Sequence, residues 1–274
     1  MINILITGAT GFVGRNVLNS ISKKNVNLVI VLREENKNLI NQLNCPFSLV
    51  YSKDIFAESI EWWRIQLKEV DIVIHLAWFT KHGLYINSSM NLDCLIGSIN
   101  LAKGAIAAGV KRFVGVGTCF EYDLSHHILA VDTPLKPSCI YADTKAALFF
   151  SLSDLLPINN VSFAWCRLFY LFGEGEDPKR LFSYIRTKLK NGEIVDLSEG
   201  NQIRDFLDVR KAGKMICDVA LGQKTGPINI CSGEPKTIKQ FAEEIADEYG
   251  RRDLLSFGAR KNNQVDPPCV IGVK

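Results

Sequence analysis

Three glycines stand three residues apart near the start of the chain, at Gly8, Gly11 and Gly14. They follow an apolar run, residues 2–7, that is typical of a β-strand, and they precede a predicted helix. In such a turn the first glycine permits the tight bend, and the second lets the backbone approach a pyrophosphate at the helix N-terminus. The third permits close packing of helix on strand. The segment predicts a dinucleotide site made by Gly8, Thr10, Gly11, Phe12, Val13 and Gly14.

A second group of residues has the types needed for proton transfer. Tyr141 and Lys145 are four apart and share one face of a predicted helix. The nearby ammonium, together with the positive charge of an oxidised nicotinamide, is expected to lower the Tyr141 pKa from about 10 towards neutrality. Thr118 ends a predicted strand, where its hydroxyl could bind a carbonyl or alcohol. We therefore predict Thr118, Tyr141 and Lys145 as the catalytic residues.

The elements that would position these residues alternate along the chain. Short apolar runs are separated by segments of helical period, which predicts an α/β fold with a doubly wound parallel sheet of the Rossmann type and a smaller C-terminal substrate-binding region. The predicted strands are 2–7, 27–32, 47–51, 71–76, 112–117, 161–167 and 227–230. The clearest predicted helices are 92–108 and 238–249.

The regular alternation of predicted strands and helices ends after Arg167, where Gly173, Gly175 and Pro178 indicate a loop. We predict that residues 1–166 and about 206–232 form the dinucleotide-binding domain. Residues 167–205 and 233–274 are predicted to form the substrate region.

Composition excludes several classes of protein. Hydrophobic residues make up 47% of the 274 residues and charged residues 22%, which disordered and coiled-coil chains do not show. Lys and Arg exceed Asp and Glu by only 32 to 29, so we expect no nucleic-acid partner. We also expect no membrane partner and a cytoplasmic location, because no apolar run approaches the roughly 18–20 residues of a span and the start does not resemble a signal peptide. The eight cysteines contain no C-x-x-C pair, so we expect neither a metal site nor a disulfide framework.

The choice of dinucleotide is read at the end of the second strand. An acidic residue there suits the 2′-hydroxyl of NAD, whereas Arg33 suits the 2′-phosphate of NADP. Glu34 and Glu35 would partly repel a phosphate. NADPH is favoured as the cofactor, and NAD remains the alternative.

Together these motifs resemble the extended short-chain dehydrogenase/reductase family, also called the NAD-dependent epimerase/dehydratase family, over nearly the whole chain. Further matching segments are His75-Leu76-Ala77, Asn91, Thr118 four before Tyr122, Arg167-Leu168-Phe169-Tyr170-Leu171-Phe172-Gly173 and Gln202-Ile203-Arg204-Asp205-Phe206.

The resemblance implies a nucleotide-linked sugar as substrate and adds site residues. For the cofactor it implies Asp54, Ile55, Leu76, Ala77, Trp78, Asn91, Val116 and Phe169, beside Tyr141 and Lys145. For the substrate it implies Thr118, Cys119, Phe120, Tyr170 and Arg204, with Arg204 on the diphosphate. Lys81, His82 and Tyr85 follow the fourth strand and either line the sugar pocket or are ordinary solvated side chains. A homodimer through helices near 92–108 and 142–155 is also implied. Family members usually continue past a stretch like 266–272, so a chain that stops at Lys274 is expected to be either short or truncated.

The residues that follow Thr118 bear on which of four reactions of the family the chain performs. Dehydration is disfavoured because Cys119 and Phe120 stand where an acidic pair is needed and Glu121 comes one place late. Inversion through a cysteine is disfavoured because Cys119 comes one place early. The sequence looks most like the reductases of nucleotide 4-keto-6-deoxy sugars, the group that contains CDP-abequose synthase, which act in deoxysugar and surface-polysaccharide biosynthesis. A 4-epimerase using bound NAD is the alternative, and a non-catalytic dinucleotide sensor is a minor one.

Overall fold

The computed structural model describes residues 1–40, 43–261 and 267–274. The strands in these ranges are β1 (Ile2–Thr7), β2 (Val26–Leu32), β3 (Phe47–Tyr51), β4 (Ile72–His75), β5 (Arg112–Thr118), β6 (Ile128–Leu129), β7 (Ser162–Leu168), β8 (Tyr170–Phe172), β9 (Val195–Asp196), β10 (Ile203–Asp208), β11 (Gly226–Ile230), β12 (Pro235–Thr237), β13 (Leu255–Ser256) and β14 (Cys269–Gly272). The helices are α1 (Phe12–Ile21), α2 (Ile60–Gln66), α3 (Met90–Ala108), α4 (Ile140–Ile158), α5 (Leu181–Lys190), α6 (Val209–Leu221) and α7 (Ile238–Glu248).

The large sheet has seven parallel strands in the order β11-β7-β5-β4-β1-β2-β3. All seven strands that the sequence predicts are present, and the doubly wound fold is confirmed. The strand order reverses between β1 and β4, so a crevice opens at their carboxyl ends, where ligands bind in open α/β sheets.

Both faces of this sheet are covered, which explains why its strands are nearly continuous apolar runs. One core packs β1, β2 and β4 against α1 and α6. The other core packs the opposite face against α2, α3 and α4, and it includes the fully buried Trp63 and Trp165.

A smaller mixed sheet lies towards the C-terminus, as the sequence predicts. Its strands run β12-β10-β14-β6, with β8 paired to β10. Helices α5 and α7 pack beside it on a third core, in which the rings of Phe206 and Phe241 stack with centroids 3.9 Å apart. Strand β6 comes from the first half of the chain. Asp266, the first residue of the 266–272 stretch named above, lies outside the described residues. No helix within the described ranges has the length and apolar character needed to cross a membrane.

Candidate active site

The glycine-rich turn after β1 is built from backbone packed against backbone. A Cβ on Gly14 would lie 2.0 Å from the Gly8 carbonyl oxygen, and one on Gly8, which has φ +73°, would lie 2.6 Å from the Ala77 nitrogen. Gly11 is the N-cap of α1, and no described side chain caps that helix. The first N–H groups of α1 thus remain available to an anion, and the turn fits the pyrophosphate of a dinucleotide.

A buried histidine fixes the loop that faces this turn. The Ser98 hydroxyl donates to the Cys94 carbonyl at 2.6 Å, so it accepts from Nε2 of His75 at 2.8 Å. Nδ1 of His75 then accepts from the Thr7 hydroxyl at 2.7 Å, and Thr7 accepts from the Ala77 N–H at 3.4 Å. Burial lowers the pKa of His75 to about 3, so the imidazole is neutral and its tautomer is set by these partners.

Trp78 is held between an amide and an ammonium. Its indole N–H donates to Oδ1 of Asn91 at 2.8 Å, and Asn91 in turn donates to the carbonyls of Tyr85 and Ser88 at 2.6 and 2.9 Å. Nζ of Lys145 lies 3.7 Å from the centre of the Trp78 ring. Asn91 is fully buried and so positions Trp78 and the following loop from behind the cavity.

Lys145 is a buried cation. It is 4% exposed, and its Nζ donates to the Val116 carbonyl at 2.6 Å. Burial lowers the pKa of Lys145 to about 7, although the charge of Glu121 opposes that shift. Placement of an ammonium here costs folding free energy, which is common at functional sites.

The phenol of Tyr141 differs from the sequence-based expectation. Burial raises its pKa, the charges of Tyr85 and Glu121 raise it further, and a hydrogen bond with Thr118 lowers it only in part. The chain's own groups therefore shift the Tyr141 pKa upward, whereas the prediction combined Lys145 with the charge of an oxidised nicotinamide and expected a downward shift. The physical reason is that the fold buries the phenol, while the Lys145 ammonium is directed to the Val116 carbonyl and the Trp78 ring.

Thr118 is fixed from behind by a buried ion pair that sequence reasoning missed. Glu121 accepts from the Thr118 N–H at 2.8 Å, from Nε of Arg167 at 2.7 Å and from the Trp165 indole. Both partners of the ion pair are at most 1% exposed. The backbone makes room for this carboxylate, since a Cβ on Gly117 would lie 2.1 Å from its Oε1.

A single cavity of about 1170 Å³ collects nearly all of the predicted residues at the carboxyl ends of the large sheet. The predicted residues that line it are Gly8, Thr10, Gly11, Phe12, Val13, Gly14, Arg33, Asp54, Ile55, Leu76, Ala77, Trp78, Val116, Thr118, Cys119, Phe120, Tyr141, Lys145, Phe169, Tyr170 and Arg204. Lys81 is exposed and is not among the lining residues, whereas its neighbour His82 is.

At the adenosine end of the cavity, Arg33 is exposed and pairs with Glu35 at 3.3 Å. Asp54 accepts from the Phe56 N–H at 3.0 Å, whereas Ser59 caps helix α2. The carboxylate of Asp54 therefore closes a turn and does not cap that helix.

At the other end, Arg204 is 3% exposed, and its guanidinium carbon lies 5.2 Å from the centre of the Tyr170 ring. Asp205 accepts from the backbone N–H groups of Ser232, Gly233 and Gly272. Asp208 pairs with Arg210. Burial of Arg204 beside an aromatic ring in the cavity wall is an arrangement suited to an anionic ligand.

Sequence reasoning missed one further lining residue, Glu176, and left the role of another, Tyr85, open. Tyr85 contacts Tyr141 edge to face, with ring centroids 4.9 Å apart. Glu176 is buried in the loop before α5. The sequence places Tyr85 in the loop after the fourth strand, whose side chains could line a sugar pocket, whereas nothing in the local sequence marked Glu176.

The chain matches a family model over residues 4–231, and it belongs to the NAD-dependent epimerase/dehydratase family. The resemblance inferred from the motifs is thereby confirmed. The chain is an enzyme of this family that works with a nicotinamide dinucleotide.

Distant relatives match along almost their full lengths. A dTDP-6-deoxy-L-talose 4-dehydrogenase (NAD(+)) from Aggregatibacter actinomycetemcomitans is 25% identical, with 99% of this chain and 100% of the relative covered. A CDP-abequose synthase from Salmonella typhimurium is 23% identical, with coverage of 96% and 87%. The crystal structure of UDP-glucose 4-epimerase from Thermotoga maritima, with UDP-glucose, superimposes with a TM-score of 0.85 at 19% identity, over 99% of this chain and 90% of that one. At that identity the structural likeness shows the fold alone.

Proposed function

We propose that this enzyme reduces the C4 ketone of a nucleotide-linked 4-keto-6-deoxy sugar with NADPH. The observation that carries the proposal is that Thr118, Tyr141 and Lys145 line one cavity with the Gly8 to Gly14 turn, and burial raises the pKa of the Tyr141 phenol, which keeps its proton. Reduction needs an acid at that position, because the carbonyl oxygen takes up a proton as it becomes an alcohol. Oxidation of an alcohol would instead need the phenolate.

Thr118, Tyr141 and Lys145 have different roles in this reaction. Thr118 donates a hydrogen bond to the ketone oxygen, and Tyr141 gives that oxygen its proton. Lys145 binds the ribose. When bound, the dinucleotide supplies the hydride that C4 receives. Cys119 is 3% exposed and burial raises its pKa, so it is a protonated thiol and offers no second base.

The cavity also suggests how the ligands divide it. We assign the pyrophosphate of the dinucleotide to the Gly8 to Gly14 turn and the adenine to Asp54 and Ile55. We assign the diphosphate of the sugar nucleotide to Arg204 beside Tyr170, with the small sheet, α5 and α7 as the substrate region. Arg33 supports NADPH because it is exposed in the cavity wall, although Glu35 competes for it.

A reversible 4-epimerase that keeps NAD bound is the second candidate, because it needs nearly the same residues and because a 4-epimerase shares the fold. The Aggregatibacter relative is named as a 4-dehydrogenase that uses NAD(+). That supports net oxidation or reduction over epimerisation. The presence of Thr118, Tyr141 and Lys145 around one cavity disfavours the sensor alternative.

We also propose a homodimer through α3 and α4. Both helices pack on the large sheet and on each other, yet they leave large apolar side chains exposed. Leu92, Ile96 and Phe150 are 51%, 59% and 56% exposed. A second copy of the same face would remove this apolar surface from water.

The reaction is tested by nicotinamide absorbance with NADPH and NADH against CDP-, dTDP- and GDP-linked 4-keto-6-deoxy sugars. We expect stoichiometric loss of NADPH with one of them and at least a hundredfold slower reaction for Tyr141→Phe. Tyr51→Phe, on an exposed strand, is the matched control. If neither cofactor is consumed with any of these sugars, the proposal is wrong.

A further inference from the structure

Glu176 is a buried acidic residue in the wall of the same cavity. The surrounding residues leave one of its two carboxyl oxygens without a hydrogen-bond partner in the described part of the chain. Its side chain is 4% exposed, and Oε2 has no hydrogen-bond partner in the described part of the chain. A buried carboxylate oxygen without a donor costs free energy, so such groups in native proteins need an explanation. Because Glu176 lines the cavity, a bound ligand is a source of that donor.

The backbone holds this carboxyl in place from two sides. The Gly175 carbonyl accepts from Nη2 of Arg15 on α1 at 3.2 Å. The Glu176 carbonyl accepts from the Ser183 hydroxyl on α5 at 3.4 Å. Gly175 has φ +82°, a conformation that side chains disfavour. The loop is therefore anchored to α1 on one side and to α5 on the other.

The surroundings indicate which part of a ligand Glu176 faces. Nη1 of Arg180 lies 3.8 Å from Oε1 of Glu176. Burial raises the pKa of Tyr85 and the charge of Arg180 opposes that shift, so Arg180 lies near Tyr85, whose ring contacts Tyr141. These contacts lead along one wall from Glu176 to the catalytic phenol, so a sugar ring with its C4 at Tyr141 would face this wall.

We propose that Glu176 is a specificity-determining residue that accepts a hydrogen bond from a sugar hydroxyl other than the oxygen at C4. The proposal rests on the proposed function, because it takes the sugar to lie at Tyr141. Arg180 balances the charge on one side of the carboxyl, and the hydroxyl would satisfy Oε2 on the other. Burial raises the pKa of Glu176 to about 7, and a donor from the ligand would favour the ionised form.

The test is calorimetric binding of UDP, dTDP and CDP and of their glucose conjugates to the full chain. Glu176→Met keeps the length of the side chain but removes the acceptor, whereas Glu176→Gln keeps an acceptor. Glu174→Gln, at an exposed carboxyl two residues earlier in the same loop, is the matched control.

For Glu176→Met we expect a loss of about tenfold or more in affinity for the nucleotide sugar that wild type binds best, and less than twofold for its free nucleoside diphosphate. Glu176→Gln should lose less. Equal losses for the sugar nucleotide and the free diphosphate, or no loss at all, would overturn the assignment while leaving reduction intact. If wild type binds no nucleotide sugar and reduces no keto sugar, both proposals fall.

Discussion

At the residue scale, Lys145 is a functional group whose burial as an ammonium costs folding free energy. The ammonium is almost out of water and is stabilised by one carbonyl and one aromatic face. Burial lowers its pKa to about 7, so the folded protein releases this proton at a lower pH than an ordinary lysine does. Removal of the charge should therefore help the fold and harm the reaction.

We expect Lys145→Met to be more stable than wild type by about 1–3 kcal/mol at pH 6 and to lose reductase activity. The unfolded chain holds the proton up to pH about 10.5, whereas the folded chain loses it near 7, so wild-type stability should rise between these values. The advantage of the variant should accordingly shrink as the pH rises. Urea unfolding at pH 6, 7.5 and 9 measures this, with the exposed Lys190→Met as control. A variant less stable than wild type at pH 6 would contradict the account.

At the scale of elements, the Glu121–Arg167 pair joins parts of the chain that the sequence leaves far apart. Glu121 follows β5, and Arg167 lies near the end of β7. The Tyr122 hydroxyl accepts from Arg167 at 3.0 Å and donates to Asn229 on β11 at 2.7 Å. Asn229 donates to the Val273 carbonyl at 2.9 Å. The network therefore fixes the end of the strand that carries Thr118 and links it to Val273, the residue that follows β14.

Glu121→Gln should lower the free energy of unfolding by about 3–5 kcal/mol, because it leaves the Arg167 guanidinium buried without a counter-charge. The exposed i,i+4 pair of Lys214 and Asp218 provides the control, since Asp218→Asn should cost less than about 1 kcal/mol. Urea unfolding at pH 7 compares the two. Similar costs for both variants would show that the buried pair does not hold these strands together.

The local sequence pattern was sufficient to predict the strands of the large sheet and much of the candidate site. The strands at 2–7 and 47–51 were predicted with the bounds they have, because apolar runs between turns leave little freedom. The Gly8 to Gly14 turn was likewise readable from neighbouring residues. Glu121 was not, because its partner lies 46 residues away and the pairing exists only once β5 and β7 are side by side. The raised pKa of Tyr141 was missed for the same reason, since burial and the direction of Lys145 come from the assembled fold.

At the scale of the whole molecule, the apolar surface of α3 and α4 should determine the oligomeric state. Wild type should run at twice the 30.6 kDa chain mass by light scattering after gel filtration. Aspartate at both Ile96 and Phe150 should yield a monomer, because two charges would be buried at the dimer face. Ile194→Asp, at an equally exposed residue immediately before β9, should remain dimeric. A wild-type monomer at all concentrations would contradict the proposed dimer.

The central claim is net hydride transfer to C4 with proton donation by Tyr141. It is tested most directly with NADPH deuterated at the transferred position and the keto sugar that passes the absorbance assay. NMR of the product should show one deuterium at C4 per NADPH consumed, and Tyr141→Phe should show almost none in the same time. Conversion of a finished nucleotide sugar to its C4 epimer without deuterium from the added cofactor would contradict the claim and identify an epimerase.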